Sequence, residues 1–361
     1  MKTGIAGLPY AGKSTLFATL MAHVSEEVEQ KHKQETERGI VKVPDHRLDA
    51  LTAMYNPRKQ INATIEYLKV PGLDQEGHQG AGLPAQFLAN IKTVDVILML
   101  VRAFENDQYP HPAGSINPVR DIRFMLSEFL LSDLGIIEGR IDKLEKLIMK
   151  TQADQDKREL AVLRKCRESL EAEKPISGAG LDEQEFQVIR NYQFLTAKPL
   201  LFVLNVGEDA ISGIPQLVES VRQEIGRDHI ITGLSAGIEQ EIAQLAPDDA
   251  KVFMEDLGIE EPATDRLIHA TYRLLGLQSF FTVGEDECRA WTIRRGTTAQ
   301  KAAGVVHSDM EKGFIRAEVV SYEDLMREGS MAACRDKGLW RLEGKEYRVQ
   351  DGDIISIRFN I

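Results

Sequence analysis

The sequence has few cysteines and no long apolar segment. Its three cysteines, Cys166, Cys288 and Cys334, are widely spaced and form no C-x-x-C pair, which argues against a disulfide framework or a zinc site. No apolar run approaches the ~18 residues that a membrane-spanning helix needs, so we expect no membrane partner. The glycine-rich motif described below starts at residue 7, and we therefore expect no signal peptide and a cytoplasmic protein.

The sequence also lacks an excess of basic residues. It carries 44 Lys and Arg against 56 Asp and Glu, a formal charge of −12 at pH 7. This balance excludes a general electrostatic attraction to nucleic acid, so we expect no DNA partner and allow an RNA partner only through a local basic patch. A length of 361 residues with 43% apolar residues is typical of a soluble protein of two or three domains.

The most specific motif lies near the start of the chain. Residues 7–14 (GLPYAGKS) match G-x-x-x-x-G-K-[ST] between an apolar strand at 2–6 and a helix that begins at Ser14. Gly7 and Gly12 permit the turn and a close approach of the backbone to phosphate. Lys13 is expected to reach the β- and γ-phosphates, and the Ser14 hydroxyl to hold Mg²⁺. The pattern predicts a nucleoside triphosphate site built from Gly7, Tyr10, Ala11, Gly12, Lys13, Ser14 and Thr15.

Strands and helices alternate along most of the chain. Apolar runs predict strands at 39–43, 64–70, 94–101, 200–206 and 229–234. This alternation predicts an α/β fold with a mostly parallel sheet and a ligand at the carboxyl ends of its strands.

Two other regions interrupt or follow this pattern. Between 117 and 195, two stretches of helical periodicity predict an antiparallel hairpin, which is either a docking arm or a solvated insertion. After 278, short strands at 288–294, 313–320, 347–349 and 354–359 predict a separate β-rich domain. The predicted domains are therefore a nucleotide-binding domain (1–116 and 196–277), an inserted helical domain (117–195) and a C-terminal domain (278–361).

A second candidate site follows the strand at 200–206. Asn205-Val206-Gly207-Glu208 stands where guanine-reading P-loop proteins carry Asn-Lys-x-Asp, whose Asp accepts from two guanine donors. The altered sequence fits adenine, and Ser235-Ala236 after the next strand is expected to cap the base. The alternative is a helix-capping Asn and a surface Glu; in a P-loop chain we favour a base site of Asn205, Val206, Glu208, Ser235 and Ala236.

These motifs and several longer strings resemble the YchF, or Obg-like, ATPase family over almost the whole length. The strings include residues 7–15, 43–48, 63–66, 86–91, 205–208, 235–239, 280–284, 289–292, 307–309, 313–315, 343–345 and 350–353. The resemblance implies a G domain interrupted by a helical coiled-coil domain, then a ubiquitin-like β-grasp (TGS) domain. It also implies preference for ATP over GTP, slow ATP hydrolysis and association with the ribosome, through its large subunit or rRNA. We expect a monomer.

Two lysines depart from that family at metal-associated positions. Lys69 replaces the Asp of the family's Asp-x-x-Gly, and Lys33 aligns with its switch-one Thr, although Thr36 lies three positions on. An ammonium repels Mg²⁺ and attracts phosphate, so our hypothesis is that Mg²⁺ binding and turnover are weakened. The alternative is that Lys69 points away and Asp74 serves the metal. A hydrolytically impaired adaptor for RNA or the ribosome is therefore the second reading of function, and a GTPase the third.

Two histidines are considered for a catalytic role, and one of them, His78, remains a candidate. His78 follows the third strand in a glycine-rich segment and is a candidate for orienting the attacking water, with a solvated loop histidine as the alternative. His307 precedes Ser308-Asp309, but three sequence neighbours cannot form a catalytic triad. In the C-terminal domain, six basic residues are compatible with contact to rRNA; they are Arg289, Arg294, Arg295, Lys301, Lys312 and Arg316.

Overall fold

The computed structural model of this chain describes residues 1–22, 38–70 and 84–360. The chain folds as two compact units. Unit 1 comprises Met1–Gly39 and Glu66–Thr264, and unit 2 comprises Ile40–Ile65 and Asp265–Ile361. Within the described ranges, no helix is both long enough and apolar enough to cross a membrane. The domain boundaries given above stay a prediction.

The elements run in the following order. The first half contains β1 (Lys2–Ala6), α1 (Lys13–Met21), β2 (Arg38–Lys42), α2 (His46–Tyr55), β3 (Lys59–Ile61), β4 (Thr64–Lys69), α3 (Ala85–Lys92), β5 (Val96–Ala103), α4 (Pro118–Thr151), α5 (Asp154–Glu171) and α6 (Glu183–Ile189). The second half contains β6 (Leu200–Val206), α7 (Ile214–Ile225), β7 (Ile230–Leu234), α8 (Ala236–Gln244), α9 (Pro247–Asp256), α10 (Ala263–Leu274), β8 (Leu277–Thr282), β9 (Glu287–Arg294), α11 (Ala299–Val306), α12 (Ser308–Lys312), β10 (Phe314–Ser321), α13 (Tyr322–Glu328), α14 (Met331–Asp336), β11 (Arg341–Glu343) and β12 (Asp353–Phe359).

The first sheet has the strand order β2-β4-β1-β5-β6-β7, and its strands from β4 to β7 in that order form the centre of unit 1. The pairs β1–β4, β1–β5, β5–β6 and β6–β7 are parallel, as the alternation of strands and helices predicts. β5 is buried along seven of its eight residues because helices cover both faces, which explains its continuous apolar sequence. The carboxyl ends of β1, β5, β6 and β7 therefore meet at one edge, where the loops that follow them form the site.

The helical insertion is a hairpin of α4 and α5. Asn117 begins α4, since its side-chain oxygen accepts from the Arg120 backbone N–H at 3.0 Å, and Pro118 occupies the first turn. Gln152 ends the helix with a positive φ of 53°, and a two-residue connection reverses the chain. A buried cluster then joins the two helices; it includes Ile137, Ile141 and Leu144 from α4 with Leu163, Cys166 and Leu170 from α5. The predicted helical hairpin is present.

Unit 2 is built on a second sheet, ordered β11-β10-β12-β8-β9-β3. β8 and β9 form an antiparallel hairpin, β12 pairs parallel with β8, and α11 packs its Ala299, Ala302 and Ala303 into the core. β3 comes from the first half of the chain and pairs parallel with β9. Residues 40–65 thus pack with the C-terminal part of the chain.

One predicted strand in this unit is wrong. Residues 347–349 form no strand, and Arg348 makes only an isolated bridge to Thr298. The Gln350 N–H and the Tyr347 hydroxyl instead donate to Asp353 Oδ2, at 2.8 and 2.7 Å. These side-chain bonds hold a turn where the β-branched and aromatic residues had indicated a strand.

Candidate nucleotide-binding site

Two glycines shape the loop between β1 and α1. Gly7 has a φ of 154°, and a Cβ there would lie 2.3 Å from the Leu100 carbonyl oxygen. Gly12 has a φ of 95°, and its Cβ would lie 2.3 Å from Asn205 Nδ2. Any side chain at either position would therefore force the loop away from β5 or β6. We call residues 7–14 the phosphate loop.

Lys13 lies inside the curve of the phosphate loop. Its side chain is buried, and its ammonium donates to the carbonyl oxygens of Gly7 at 3.0 Å and Leu8 at 2.8 Å. These bonds pair a buried cation with carbonyl oxygens and hold it beside the loop's backbone N–H groups. Ser14 is exposed and Thr15 half-buried, both in the first turn of α1. A cation next to a helix N-terminus is an arrangement suited to a polyphosphate.

A cavity of about 670 Å³ opens over this loop. Its lining combines the predicted residues with several others: Tyr10, Gly12, Lys13, Ser14, Thr15, Arg102, Phe104, Asn106, Tyr109, Asn205, Val206, Gly207, Glu208, Ser235, Ala236, Gly237, Ile238 and Glu241. Ten of the twelve residues predicted to bind nucleotide thus border one cavity. The other two, Gly7 and Ala11, shape the loop from behind, and Ala11 is fully buried.

Asn205 connects three loops of the site. Its Nδ2 donates to the Ala11 carbonyl oxygen at 2.9 Å, and its Oδ1 accepts from the Ala236 N–H at 2.9 Å. The side chain is buried, so both ends of the amide are used within the protein. Glu208, three residues on, is exposed on the wall of the cavity. The geometry gives Asn205 a positioning role and leaves Glu208 with the accessible carboxylate.

The sequence motifs did not single out Arg102, the penultimate residue of β5. This side chain is 2% exposed; its Nε donates to the Phe104 carbonyl oxygen at 3.0 Å and its Nη1 to that of Tyr109 at 2.7 Å. The guanidinium also lies 4.8 Å from the centre of the Phe104 ring. Burial lowers the pKa of Arg102 from its ordinary value. An arginine near the end of an otherwise apolar strand was the signal available in the sequence.

Behind the loop that follows β5 lies a buried pair, His111 and Asp121. The His111 Nε2 and Asp121 Oδ2 atoms are 2.9 Å apart, and Arg120 donates twice to Asp121 Oδ1, at 2.9 and 2.8 Å. His111 Nδ1 accepts from the Ala113 N–H at 3.1 Å. Burial lowers the pKa of His111 and outweighs the opposite effect of Asp121. The pair holds this loop against the first turn of α4.

Lys69 ends β4 beside the phosphate loop. It pairs with Ile5 of β1, two residues before Gly7, and the next residue, Val70, donates its N–H to the Ile5 carbonyl oxygen at 2.9 Å. The lysine therefore lies at the strand end where the family resemblance places a metal-associated carboxylate. His78, Lys33, Thr36 and Asp74 lie outside the described residues.

The donors for Mg²⁺ are sparse in the part of the chain that the structure describes. No group of three His, Cys, Asp or Glu side chains there could hold a metal ion. At the phosphate loop the cavity offers the Ser14 hydroxyl. Its two carboxylates lie elsewhere: Glu208 follows β6, and Glu241 lies in α8. These residues fit a Mg²⁺ that is bound by Ser14 and held mainly through the phosphates of a nucleotide, as is common for this ion.

This sheet order, phosphate loop and cavity define a P-loop protein of the G-domain class. Comparison with protein families agrees: residues 2–165 match "50S ribosome-binding GTPase", and residues 277–360 match the C-terminal YchF family described as "Protein of unknown function (DUF933)".

Relatives that match the whole chain identify its family within this class. The chain is 43% identical to the ribosome-binding ATPase YchF of Haemophilus influenzae and 41% identical to that of Bacillus subtilis, covering 100% of itself and 99% and 100% of those proteins. It is 34% identical to Obg-like ATPase 1 of Caenorhabditis elegans, over 100% of this chain and 92% of that one. The solved Schizosaccharomyces pombe YchF GTPase superposes with a TM-score of 0.89 at 30% identity, over 99% and 97% of the two chains. The chain belongs to the YchF family, and the predicted family and fold class are confirmed.

Proposed function

We propose that this chain is an ATP-binding P-loop protein that hydrolyses ATP slowly and couples its nucleotide state to the ribosome. The observation that carries the proposal is the convergence of the phosphate loop, the Asn205–Glu208 segment and the Ser235–Ala236 loop on one cavity. The name "ribosome-binding ATPase" of its relatives supports both parts of it.

Within this cavity, the phosphate loop binds the triphosphate. Lys13 exchanges its bonds to the Gly7 and Leu8 carbonyl oxygens for bonds to the β- and γ-phosphates, since anionic oxygens are the stronger acceptors. Ser14 holds the metal ion. Glu208 accepts from the exocyclic amine of adenine, and Ser235 and Ala236 cover the base. His78 remains the candidate for orienting water, by its place in the sequence alone.

The test of the enzymatic part is phosphate release. The purified protein should release phosphate from ATP, faster with ribosomes present, and Lys13→Ala should reduce both rates by about 100-fold or more, since the cation that neutralises the transferred phosphate is lost. Equal release by the wild type and Lys13→Ala would exclude hydrolysis at this site. Competition of ADP and GDP for the site tests the preference for adenine.

A hydrolytically impaired adaptor is the second candidate, favoured by Lys69 at the end of β4 beside the phosphate loop. An ammonium there reduces the attraction for Mg²⁺, on which phosphoryl transfer depends. Such a protein would bind ATP and ribosomes but release no more phosphate than Lys13→Ala does. The same assay therefore separates the two candidates.

We assign ribosome contact to the basic residues of the C-terminal part and to the helical hairpin, and we expect a monomer that binds the large subunit or its rRNA. Arg289 lies 3.9 Å from the centre of the Trp291 ring, and Arg294 and Arg295 are exposed at the end of β9. Replacing Arg294 and Arg295 by Glu should weaken co-sedimentation with large subunits, since each lost phosphate contact costs affinity. Arg227→Glu, an exposed site on unit 1, is the matched control. Retention of full binding by the double variant would refute this assignment.

A further inference from the structure

Tyr10 occupies an unusual position in the phosphate loop. Its φ is +62°, in the left-handed region that residues with an aromatic side chain seldom adopt. Positive φ values at Tyr10 and Gly12 are of the kind that anion-binding concavities of the backbone contain. Glycine adopts this conformation freely, but tyrosine needs a contact that holds it there.

Tyr109 provides that contact. The Tyr10 and Tyr109 rings are stacked, with centroids 5.2 Å apart and planes inclined by 30°. Both side chains border the cavity and are about half exposed, at 44% and 51%. Tyr10 comes from the loop after β1 and Tyr109 from the loop after β5, so the stack joins two walls of the site. Stacked aromatic pairs stabilise their arrangement beyond the apolar area that they bury.

The backbone of Tyr109 is fixed on both sides. Its carbonyl oxygen accepts from the buried Arg102 at 2.7 Å, and its N–H donates to Asn106 Oδ1 at 3.2 Å. Asn106 Oδ1 also accepts from the Gln108 N–H at 3.0 Å, which closes a tight turn. Because Arg102 is buried within β5, these bonds fix the backbone of Tyr109 beside the phosphate loop.

We propose that Tyr109 is a positioning residue for nucleotide: through the stack it keeps Tyr10 in the left-handed conformation and the phosphate loop in its anion-binding shape. The inference rests on the proposed nucleotide binding and adds a residue that acts on the phosphate loop from a neighbouring loop. The alternative role for Tyr109 is a direct contact with the nucleotide, which its position on the cavity wall would also allow.

A double-mutant cycle with ADP as the probe separates the two possibilities. Tyr109→Ala should weaken ADP binding about fivefold, the amount expected for one lost aromatic pair, and Tyr109→Phe should restore it because the stack needs only the ring. When position 10 is glycine, which adopts positive φ without help, adding Tyr109→Ala should change the affinity by less than about twofold. Phe186→Ala, which removes a half-exposed aromatic ring from α6, is the matched control.

Two results would overturn the proposal. If Tyr109→Ala weakens ADP binding equally in the Tyr10 and Tyr10→Gly backgrounds, Tyr109 contacts the nucleotide itself. If Tyr109→Ala leaves the affinity unchanged, the stack has no part in binding.

A second measurement needs no nucleotide. Hydrogen exchange of the backbone amides at residues 10–14 should be faster in Tyr109→Ala than in the wild type, and equal in the two proteins that carry Tyr10→Gly. Absence of ADP binding by the wild type would refute the proposed function, while the exchange rates would still decide whether Tyr109 holds the loop. Unchanged exchange in Tyr109→Ala would contradict the inference by itself.

Discussion

The Asn205 side-chain amide donates to the carbonyl oxygen of Ala11 at 2.9 Å, across 194 residues of sequence. Ala11 lies in the phosphate loop and Asn205 near the end of β6, the strand that leads to the base-binding segment. The same side chain accepts from Ala236 at the start of α8. One buried amide thus sets the spacing between the part of the cavity suited to phosphate and the part suited to a base.

Asn205→Ala should therefore impair both stability and binding. Loss of two buried hydrogen bonds, with their partners left unpaired, should lower the free energy of unfolding by about 2–3 kcal/mol. ADP affinity should fall by about tenfold or more because the loops lose their fixed spacing. Urea unfolding and ADP titration measure the two effects. Asn62→Ala, which loses one half-buried bond to the Val43 carbonyl oxygen in unit 2, is the control; equal ADP affinities for Asn205→Ala and wild type would refute this role.

Arg102→Met should loosen the loop after β5. The substitution keeps an unbranched apolar stem but removes the donors to the carbonyl oxygens of Phe104 and Tyr109, which should cost about 2–3 kcal/mol of unfolding free energy. Hydrogen exchange at residues 104–110 should rise well before the rest of unit 1 is affected. Arg167→Met on α5, which removes a half-buried arginine paired with Glu171 at 3.5 Å, is the control for losing an arginine elsewhere in unit 1. Unchanged exchange in this loop would contradict the role given to Arg102.

Lys69 predicts a weak dependence of ATP binding on Mg²⁺. Under the hypothesis that an ammonium at the end of β4 attracts phosphate and repels the ion, ATP affinity of the wild type with Mg²⁺ and with EDTA should differ by less than about threefold. Lys69→Asp restores a carboxylate at the strand end and should raise that ratio above about tenfold, since the reversed charge attracts the ion. Lys146→Asp, on the exposed surface of α4, controls for net charge. A strong Mg²⁺ requirement in the wild type would overturn the hypothesis.

The buried His111 and the half-buried His229 predict a loss of stability in mild acid. Burial lowers the pKa of both His111 and His229 below the ordinary 6.5, so the unfolded chain takes up protons before the folded protein does. Their contribution to stability is complete above pH 6.5 and is lost as the pH falls below it. Glu159 and Glu318, whose pKa values are lowered by their arginine partners, lose stabilisation only below the ordinary 4.5.

Urea unfolding at pH 7.5 and 5.5 tests this window. The wild type should be less stable at pH 5.5, and a His111→Gln, His229→Gln double variant should show a smaller difference between the two pH values. His307→Gln, at an exposed position in unit 2, is the control. An equal pH dependence in the wild type and the double variant would show that other groups are responsible.

The sequence was most informative where a function depends on adjacent residues. The phosphate loop could be predicted because Gly7, Gly12 and Lys13 act through the local backbone, and the structure places them together between the end of β1 and the start of α1. The parallel sheet, with the cavity at the carboxyl ends of its strands, could be predicted from the alternation of apolar runs with helices; its strand order could not. The role of Asn205 could not be deduced because its partners are distant in sequence.

Asp133 and Arg47 also have roles that the sequence alone could not predict, because their partners are distant in sequence. Asp133 lies within the apolar stripe of α4, where a carboxylate has no local explanation; it accepts from the Leu195 and Thr196 N–H groups at 3.0 and 2.8 Å. Arg47 donates to Asp351, 304 residues on, at 3.1 and 3.3 Å. Arg47 and Asp351 come from separate strings of the family resemblance, and they form one hydrogen-bond network only in the folded unit 2.

Direct titration of the purified protein with ATP and ADP, by calorimetry and with and without Mg²⁺, tests the central claim. We predict saturable binding to one site per chain, and binding by Lys13→Ala weaker by about tenfold or more, because the phosphates lose their buried cation. No saturable binding of either nucleotide under any metal condition would contradict the account, as would equal affinities for the wild type and Lys13→Ala.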